Sequence, residues 1–477
     1  MSADDDEIRD LQVFAESLGF EVDESVATRA LAAARELEAA VAELDDAEPP
    51  QSRTSRGTRA DNEHDALLDV YREPREGSGG GPLAGLSVAI KDVIAVEGLE
   101  MTLGLDGFDY VPGFDAVAVE RLLEAGASIV GKANTDVLAM GPTGEFSERG
   151  EVVNPAAPDR VPGGSSSGSC AAVAGGLVDA ALGTDTGGSV RIPAACCGVV
   201  GMKPTHGLVP QYGATELGPS ADTIGPVARS AETTTHLLEA LVGPDVRDPA
   251  TRAVTAPPVR SEYEGEDPLA VGLASPFFDG VDDVVSEVVF EAADAIADRD
   301  VDVTDVSFPL GEIRNAHPLL TSPEFAWLVR QSFAVRGHGR QYNPELYRAL
   351  RSLPFNDHVA LRRLPGAYVD EQSDGAAYVQ GRREVVRFER RLRDVFDTVD
   401  ALVMPTMLGL PPERDRIEAS HEGIRRMTSN TGPFSRVGYP AVSVPVGAVE
   451  AVPVGAQVVA PPRRDGTALR VAELLEG

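Results

Sequence analysis

The chain has 477 residues, 43% of them hydrophobic, with 42 basic residues against 76 acidic ones and a formal net charge of -34. That length gives one large domain or two ordinary ones with ample core, and the acidic balance argues against nucleic acid or an anionic membrane as a partner, since both require a basic face. Apolar content is normal and the acids are scattered, so the charge points to a folded, halophilic protein adapted to concentrated salt, which screens self-repulsion.

The N-terminal run Met-Ser-Ala-Asp-Asp-Asp-Glu is acidic and lacks the apolar core of a signal segment. No stretch approaches the ~18 apolar residues of a membrane span, so a cytoplasmic location is expected. Residues 5–46 predict helix, with Leu31, Ala34, Leu37, Ala40 and Val41 as an apolar stripe. Residues 47–62, rich in Pro, Ser, Thr and Arg, predict a loose connection, and Gly77-Ser78-Gly79-Gly80-Gly81 a second flexible spot. The expected organisation is a helical appendage and linker over 1–62 and one main domain over 63–477.

From residue 83 strand and helix patterns alternate. Leu86–Ile90 predicts a strand, Ala116–Glu124 a helix, Ala127–Val130 a strand and Ala171–Ala181 a buried helix of small residues. Val385, Phe388, Leu392 and Val395 mark a helical face, followed by a strand at Ala401-Leu402-Val403-Met404. Val442, Val444 and Val446 alternate as a strand whose partner is Val454–Val459. Strands separated by helices imply an α/β fold, with helices covering a central, mostly mixed β-sheet. Within 245–375 helices can be placed, but no chemistry. Cys170, Cys196 and Cys197 fit neither a disulfide framework nor a zinc pattern, so they are read as core residues, and no metal or cofactor is expected.

Of the 42 basic residues only Lys91, Lys132 and Lys203 are lysine; the rest are arginine. Arginine stays charged under any protein condition, whereas a desolvated lysine can lose its proton and act as a base. Lys91 closes an apolar run upstream of a Gly/Ser-rich region and is the first candidate for such a group. Lys132 and Lys203 are read as structural, and Asp92 as a structural acceptor.

The densest chemistry lies in Gly163-Gly164-Ser165-Ser166-Ser167-Gly168-Ser169 and Gly183-Thr184-Asp185-Thr186-Gly187-Gly188-Ser189. Glycines serve where backbone approaches a ligand, and Thr186–Ser189 could turn successive N–H groups toward one point. A phosphate loop fails because no Gly-Lys-Ser/Thr follows either cluster. A Ser-His-Asp hydrolase fares little better. Ser189 lacks a Gly-x-Ser-x-Gly elbow, Ser166 has one by letter but no strand before it, and nothing marks His206 as a base. A serine nucleophile with a lysine base accounts for both clusters and for Lys91.

In the run 163–205, GGSSSGSCAAVAGGLVDAALGTDTGGSVRIPAACCGVVGMKPT, with Lys91-Asp92 upstream, the chain resembles the amidase signature family of Ser-Ser-Lys amide hydrolases. The resemblance runs from about Leu83 to Leu241 and returns at Val403–Thr406 and Gly438–Val442. It implies the layered α/β/α amidase-signature fold. It also implies Ser189 as nucleophile, Ser165 as a bridging serine on a cis peptide bond after Gly164, and Lys91 as base. Thr186, Gly187, Gly188 and Ser189 would supply the oxyanion-hole amides. Asp185 and Arg191 flank the nucleophile and are expected to pair, holding that loop.

The function expected from this is hydrolysis of a small carboxamide through an acyl-enzyme, releasing ammonia or an amine. The partners expected are the amide substrate and water, with a homodimer as the default assembly and no nucleic acid or membrane. One alternative is the A subunit of a tRNA-dependent amidotransferase, which takes ammonia from glutamine. It is set second because Ile192 stands three places after the nucleophile, where that protein usually has glutamine, and because 335–400 shows no glutamine-site motif. A non-catalytic binding protein on the same fold is the third reading; retention of both Lys91 and Ser189 argues against it.

Overall fold

The computed structural model describes residues 3–44, 54–251, 255, 257–299, 301–331, 349–351, 353, 355–414 and 421–477. The chain divides into two compact units, Met1–Gln51 and Ser52–Gly477. The first contains helices α1 (Ala3–Ser17) and α2 (Glu24–Leu44). They are joined by an Arg35–Glu7 ion pair of 2.6 Å and by the Gln12 amide donating to the Val22 carbonyl. The stripe expected on the second helix is not a buried one, since Leu37 is 67% exposed. The side chains of Val41 and of residues 45–53 lie outside the described set.

The large unit is built on one mixed sheet of twelve strands. In chain order these are β1 (Gly57–Arg59), β2 (Leu67–Arg75), β3 (Ser87–Lys91), β4 (Ser128–Ala133), β5 (Ala180–Asp185) and β6 (Val200–Lys203). Then come β7 (Thr223–Ala228), β8 (Ala270–Ala274), β9 (Asp302–Val306), β10 (Ala401–Pro405), β11 (Ala441–Val449) and β12 (Val452–Val459). Across the sheet they lie in the order β1-β2-β4-β3-β5-β7-β6-β11-β12-β10-β8-β9. The pairs β3–β4, β3–β5, β8–β10 and β8–β9 are parallel and the others antiparallel. Short β1 pairs with β2, so the sheet begins within the stretch the sequence marks as linker.

Helices between the strands are α3 (Val117–Glu124), α4 (Ser167–Ala174), α5 (Arg191–Cys197), α6 (Ala231–Leu241), α7 (Val259–Tyr263), α8 (Asp283–Ala297) and α9 (Ile313–Arg330). They continue with α10 (Asp357–Gln372), α11 (Ala376–Phe396), α12 (His421–Thr428), α13 (Gly432–Val437) and α14 (Asp465–Glu476). The mixed α/β layering expected from the alternation of patterns is the observed architecture. Val385, Phe388, Leu392 and Val395 are the buried face of α11.

One expected element splits in two. Ala171–Ala181 is the end of α4, a turn, and the start of β5. Gly176, at φ +72°, stops the helix in a conformation other residues rarely adopt. The apolar run after it is as good a buried strand as a buried helix, which composition alone does not separate.

Two sheet pairings place the chemistry. β3 runs parallel to β5, with Ile90 opposite Leu182, so both strands deliver their carboxyl ends to one edge of the sheet. Lys91 ends β3 and Asp185 ends β5, and the loop 163–166 enters α4 at the same edge. In open α/β sheets that edge is where ligand sites form. Helix α4 can approach because its residues are small. A Cβ on Gly168 would come within 2.3 Å of the Asn134 nitrogen and 2.4 Å of the Ala66 oxygen.

Candidate active site

Lys91 is fully buried and points into the two serine loops. Its Nζ lies 2.8 Å from Ser165 Oγ, 3.0 Å from Ser166 Oγ and 2.9 Å from Thr184 Oγ1. None of these acceptors is charged. Burial therefore dominates and pulls the lysine pKa from 10.5 down to about 7, against the opposing pull of Asp136 and Asp185. A large share of the side chain is thus neutral near pH 7, the state in which it can take a proton.

The geometry separates the serines. Ser166 Oγ donates to the Thr184 carbonyl at 3.2 Å and accepts from the Thr184 N–H at 3.3 Å, so it is tied to β5. Ser169 Oγ donates to the Leu182 carbonyl at 2.9 Å. Ser165, by contrast, keeps its hydroxyl for Lys91, and the Gly164–Ser165 bond before it is cis. The Ser166 N–H donates to the Ser189 carbonyl at 3.1 Å, which clips the two serine loops together. Thr135 Oγ1 donates to the Ser165 carbonyl at 2.9 Å from the opposite side.

The loop carrying Ser189 is held from behind. Arg191 and Asp185 are both fully buried and bind through two contacts of 2.9 Å, while Arg191 also donates to the Thr431 carbonyl, Gln457 Oε1 and Ser435 Oγ. Burial alone would raise the Asp185 pKa, but the Arg191 guanidinium holds it down at about 2. The expected pairing of these residues is therefore present, and it stitches the loop to α13 and β12. Asp185 also takes the Gly188 N–H at 2.8 Å, so that amide is already committed, whereas those of Gly187 and Ser189 flank it. Gly188 must be glycine: its φ is +134° and a Cβ would meet Thr431 Oγ1 at 2.3 Å.

Lys132 and Lys203 make their hydrogen bonds away from the serines. Lys132 donates to the carbonyls of Asp92 and Ile94, and Lys203 to that of Pro204 at 2.8 Å. All three cysteines are buried and free. Among the described residues no cluster of His, Cys, Asp or Glu is arranged to hold a metal ion, and no helix is long and apolar enough to cross a membrane.

Several groups at the site escape a sequence reading. Asp136, fully buried, accepts the Phe146 N–H at 2.8 Å and the Gly144 N–H at 3.2 Å, and burial lifts its pKa to about 7. A side chain on Gly164 would collide with it, at 2.1 Å from Oδ2. The segment 140–146 meets α10: His358 stacks on Phe146 at 4.0 Å, and the Arg362 guanidinium lies 5.5 Å above the same ring. Arg362 Nη2 and Arg436 Nε are buried with no hydrogen-bond partner among the described residues. Burial and the neighbouring charges of Arg362 and Arg436 depress the Arg363 pKa to about 10. Arg436 donates to the Thr186 carbonyl at 3.1 Å and to Ser220 Oγ at 3.2 Å. It thereby separates the nucleophile loop from a cleft of about 1100 Å³ lined by His206, Glu324, Trp327 and Tyr378. The segment 245–375 thus sets His358, Arg362 and Arg363 of α10 against Met140 and Phe146.

A serine beside a buried neutral lysine, with backbone amides at a tight glycine turn, is equipped for acyl transfer from an amide. The chain matches the Amidase family over residues 61–469, and it belongs to that family of amide-cleaving enzymes. Among curated relatives it is 38% identical over 417 residues to the A subunit of the Glutamyl-tRNA(Gln) amidotransferase of Natronomonas pharaonis, covering 85% of this chain and 98% of that one. The corresponding A subunit from Haloarcula marismortui is also 38% identical, with 82% of this chain and 95% of that one covered. Of solved structures, the A subunit of the Glutamyl-tRNA(Gln) amidotransferase from Thermotoga maritima superposes with a TM-score of 0.74 at 31% identity, covering 86% of each chain.

These relatives overturn two expectations. The first is hydrolysis of a small carboxamide as the leading function: the curated relatives, matched over 82% and 85% of this chain, are named as amidotransferase subunits. The substitution that argued the other way has a bland explanation, because Ile192 is 1% exposed and packs with Val161, Ala195, Cys196, Met407 and Met427. The second is a partner set of small amide and water, with no nucleic acid and a default homodimer. The relatives are named as one subunit of an enzyme that is itself named for a tRNA. Net charge speaks only for the chain that bears it, so an acidic polypeptide does not exclude a nucleic acid from the assembly.

Proposed function

We propose that this protein is the amide-cleaving subunit of a tRNA-dependent amidotransferase, releasing ammonia from the side chain of glutamine for use by a partner protein. The observation that carries this reading is the near full-length match, 38% identity over 98% of a curated amidotransferase chain. In this scheme Ser189 Oγ attacks the carboxamide carbon while its proton passes through Ser165 to neutral Lys91. The Gly187 and Ser189 N–H groups, with that of Thr186, receive the developing oxyanion. Lys91 returns the proton through Ser165 to the leaving nitrogen, the C–N bond breaks, and ammonia departs. Water then cleaves the Ser189 ester and frees glutamate.

The cationic wall supports glutamine over an uncharged amide. Arg362 and Arg436 hold buried nitrogens without acceptors among the described residues, an arrangement that costs stability unless an anion arrives, and glutamine brings a carboxylate. A chain of net charge -34 repels tRNA, so the nucleic acid is assigned to the partner protein.

The test is ammonia release from glutamine in concentrated KCl, with and without co-expressed partner subunits and glutamyl-tRNA(Gln). Release that partners stimulate and that Ser189→Ala abolishes is expected. Turnover of simple amides with none from glutamine, in the presence of the partners, would overturn the assignment.

A further inference from the structure

His317 is a desolvated imidazole that the serine–lysine relay does not use. It lies on α9, and its ring covers the turn that carries the oxyanion amides. A Cβ built on Gly187 would fall 2.5 Å from His317 Cε1, 2.8 Å from Nε2 and 3.3 Å from Nδ1, so both ring nitrogens border this turn. Thr321, one helical turn further on, faces one of the two ring nitrogens. Its Oγ1 donates to the His317 carbonyl at 2.9 Å and stands 3.4 Å from Nε2. A hydroxyl has one hydrogen, and this one is taken by the carbonyl. With that hydrogen on the carbonyl, Thr321 accepts toward the ring, and the tautomer that matches it carries the proton on Nε2 and leaves a lone pair on Nδ1.

That lone pair has nothing to bind. Nδ1 is buried and meets no donor among the described residues, a state that costs free energy in a protein at rest. Burial, aided by the guanidinium groups of Arg436 and Arg363, pushes the His317 pKa well below its usual 6.5, so the ring stays neutral at working pH. The same positive neighbours repel a cation. The partner that fits is a neutral N–H beside the oxyanion loop, and an amide substrate brings one on the nitrogen that leaves.

We propose that His317 Nδ1 accepts a hydrogen bond from the N–H of the scissile carboxamide, orienting the leaving nitrogen while the loop amides hold the carbonyl oxygen. His317 is then a substrate-contacting residue that favours amides over esters of the same acyl group, because an ester oxygen has no hydrogen to give. The inference rests on the amide-cleaving reading of the site, and not on glutamine being the amide.

The experiment compares kcat/KM for matched pairs, glutamine with glutamate γ-methyl ester and propionamide with methyl propionate. The proteins are wild type, His317→Phe, His317→Asn and His317→Gln. Loss of the acceptor in His317→Phe is expected to lower amide turnover about 10- to 100-fold and ester turnover less than about 3-fold. The Asn carbonyl can occupy the place of Nδ1, so His317→Asn should recover most of the loss, while His317→Gln, which reaches toward Nε2, should not. Amide and ester rates falling together, or Asn doing no better than Gln, would overturn the proposal. Silence toward glutamine alone refutes the glutamine assignment, and the propionamide pair still reads His317.

Discussion

Replacing Lys91 by methionine should abolish turnover and make the protein more stable at neutral pH. The lysine is held with a pKa of about 7 in place of 10.5, which at 1.36 kcal/mol per pKa unit costs about 5 kcal/mol at pH 7. Against this, the variant removes the hydrogen bonds of Lys91 to the hydroxyls of Ser165, Ser166 and Thr184, at about 1 kcal/mol each. A net gain of about 2 kcal/mol follows. Its pH dependence identifies the cause. The unfolded chain keeps Lys91 protonated up to pH 10.5 and the folded one only to about 7, so between these values the unfolded state binds the extra proton. Wild-type stability therefore rises with pH through that window, and the Lys91 cost fades toward its upper end. Lys132 and Lys203 add the same slope to both proteins. Guanidinium unfolding at about pH 7 and pH 10 in concentrated KCl should show the variant's advantage at the lower pH shrinking or reversing at the higher. A variant less stable than wild type at pH 7, or a difference that does not change with pH, would refute the neutral-lysine argument.

Arg191→Met strands the buried Asp185 carboxylate and should cost about 3–5 kcal/mol in denaturant unfolding, with loss of turnover. The double variant Asp185→Leu/Arg191→Met should recover much of that stability and none of the activity, because Gly188 then lacks its anchor; a double variant no more stable than Arg191→Met would count against the ion pair as the cause. Melting temperature should climb as KCl rises from about 0.1 M to above 1 M, since the Debye length falls from about 10 Å to about 3 Å across a surface of net charge -34. A flat response would remove salt screening from the account.

The meeting of Lys91 with Ser165 was legible in the sequence because two scarce signals coincide: lysine is nearly absent elsewhere, and glycines and serines cluster in an ordered run. The cationic wall was not. Leu361-Arg362-Arg363-Leu364 reads as an ordinary surface helix, and in a chain whose basic residues are almost all arginine another arginine pair carries no information until the fold sets it beside Phe146. Asp136 was hidden by similar abundance, one acid among 76. His317 failed to register because its meaning depends on Thr321 and Gly187, one near in sequence and one far. Strands β8 and β9 were missed within 245–375 for physical reasons too. β9, Asp-Val-Thr-Asp-Val, ends the sheet with mostly solvent-facing side chains, and its two aspartates protect an open edge while erasing any apolar run. The single residue used to rank functions, Ile192, misled because adjacency to a nucleophile along a helix does not decide which way a side chain faces.

The parallel pairing of β3 with β5 has a consequence for how such an enzyme changes. The residues proposed to move the proton all come from one contiguous block, residues 87–191, whose strands β3 and β5 are held in parallel register. The wall that would face the substrate comes from His317, Arg362, Arg363 and Arg436, on helices outside that block. Reaction and recognition are therefore written in separate stretches of the gene. A lineage can exchange or redraw the second without disturbing the first, so descendants of one ancestor can keep a common chemical engine while parting company over what they feed it.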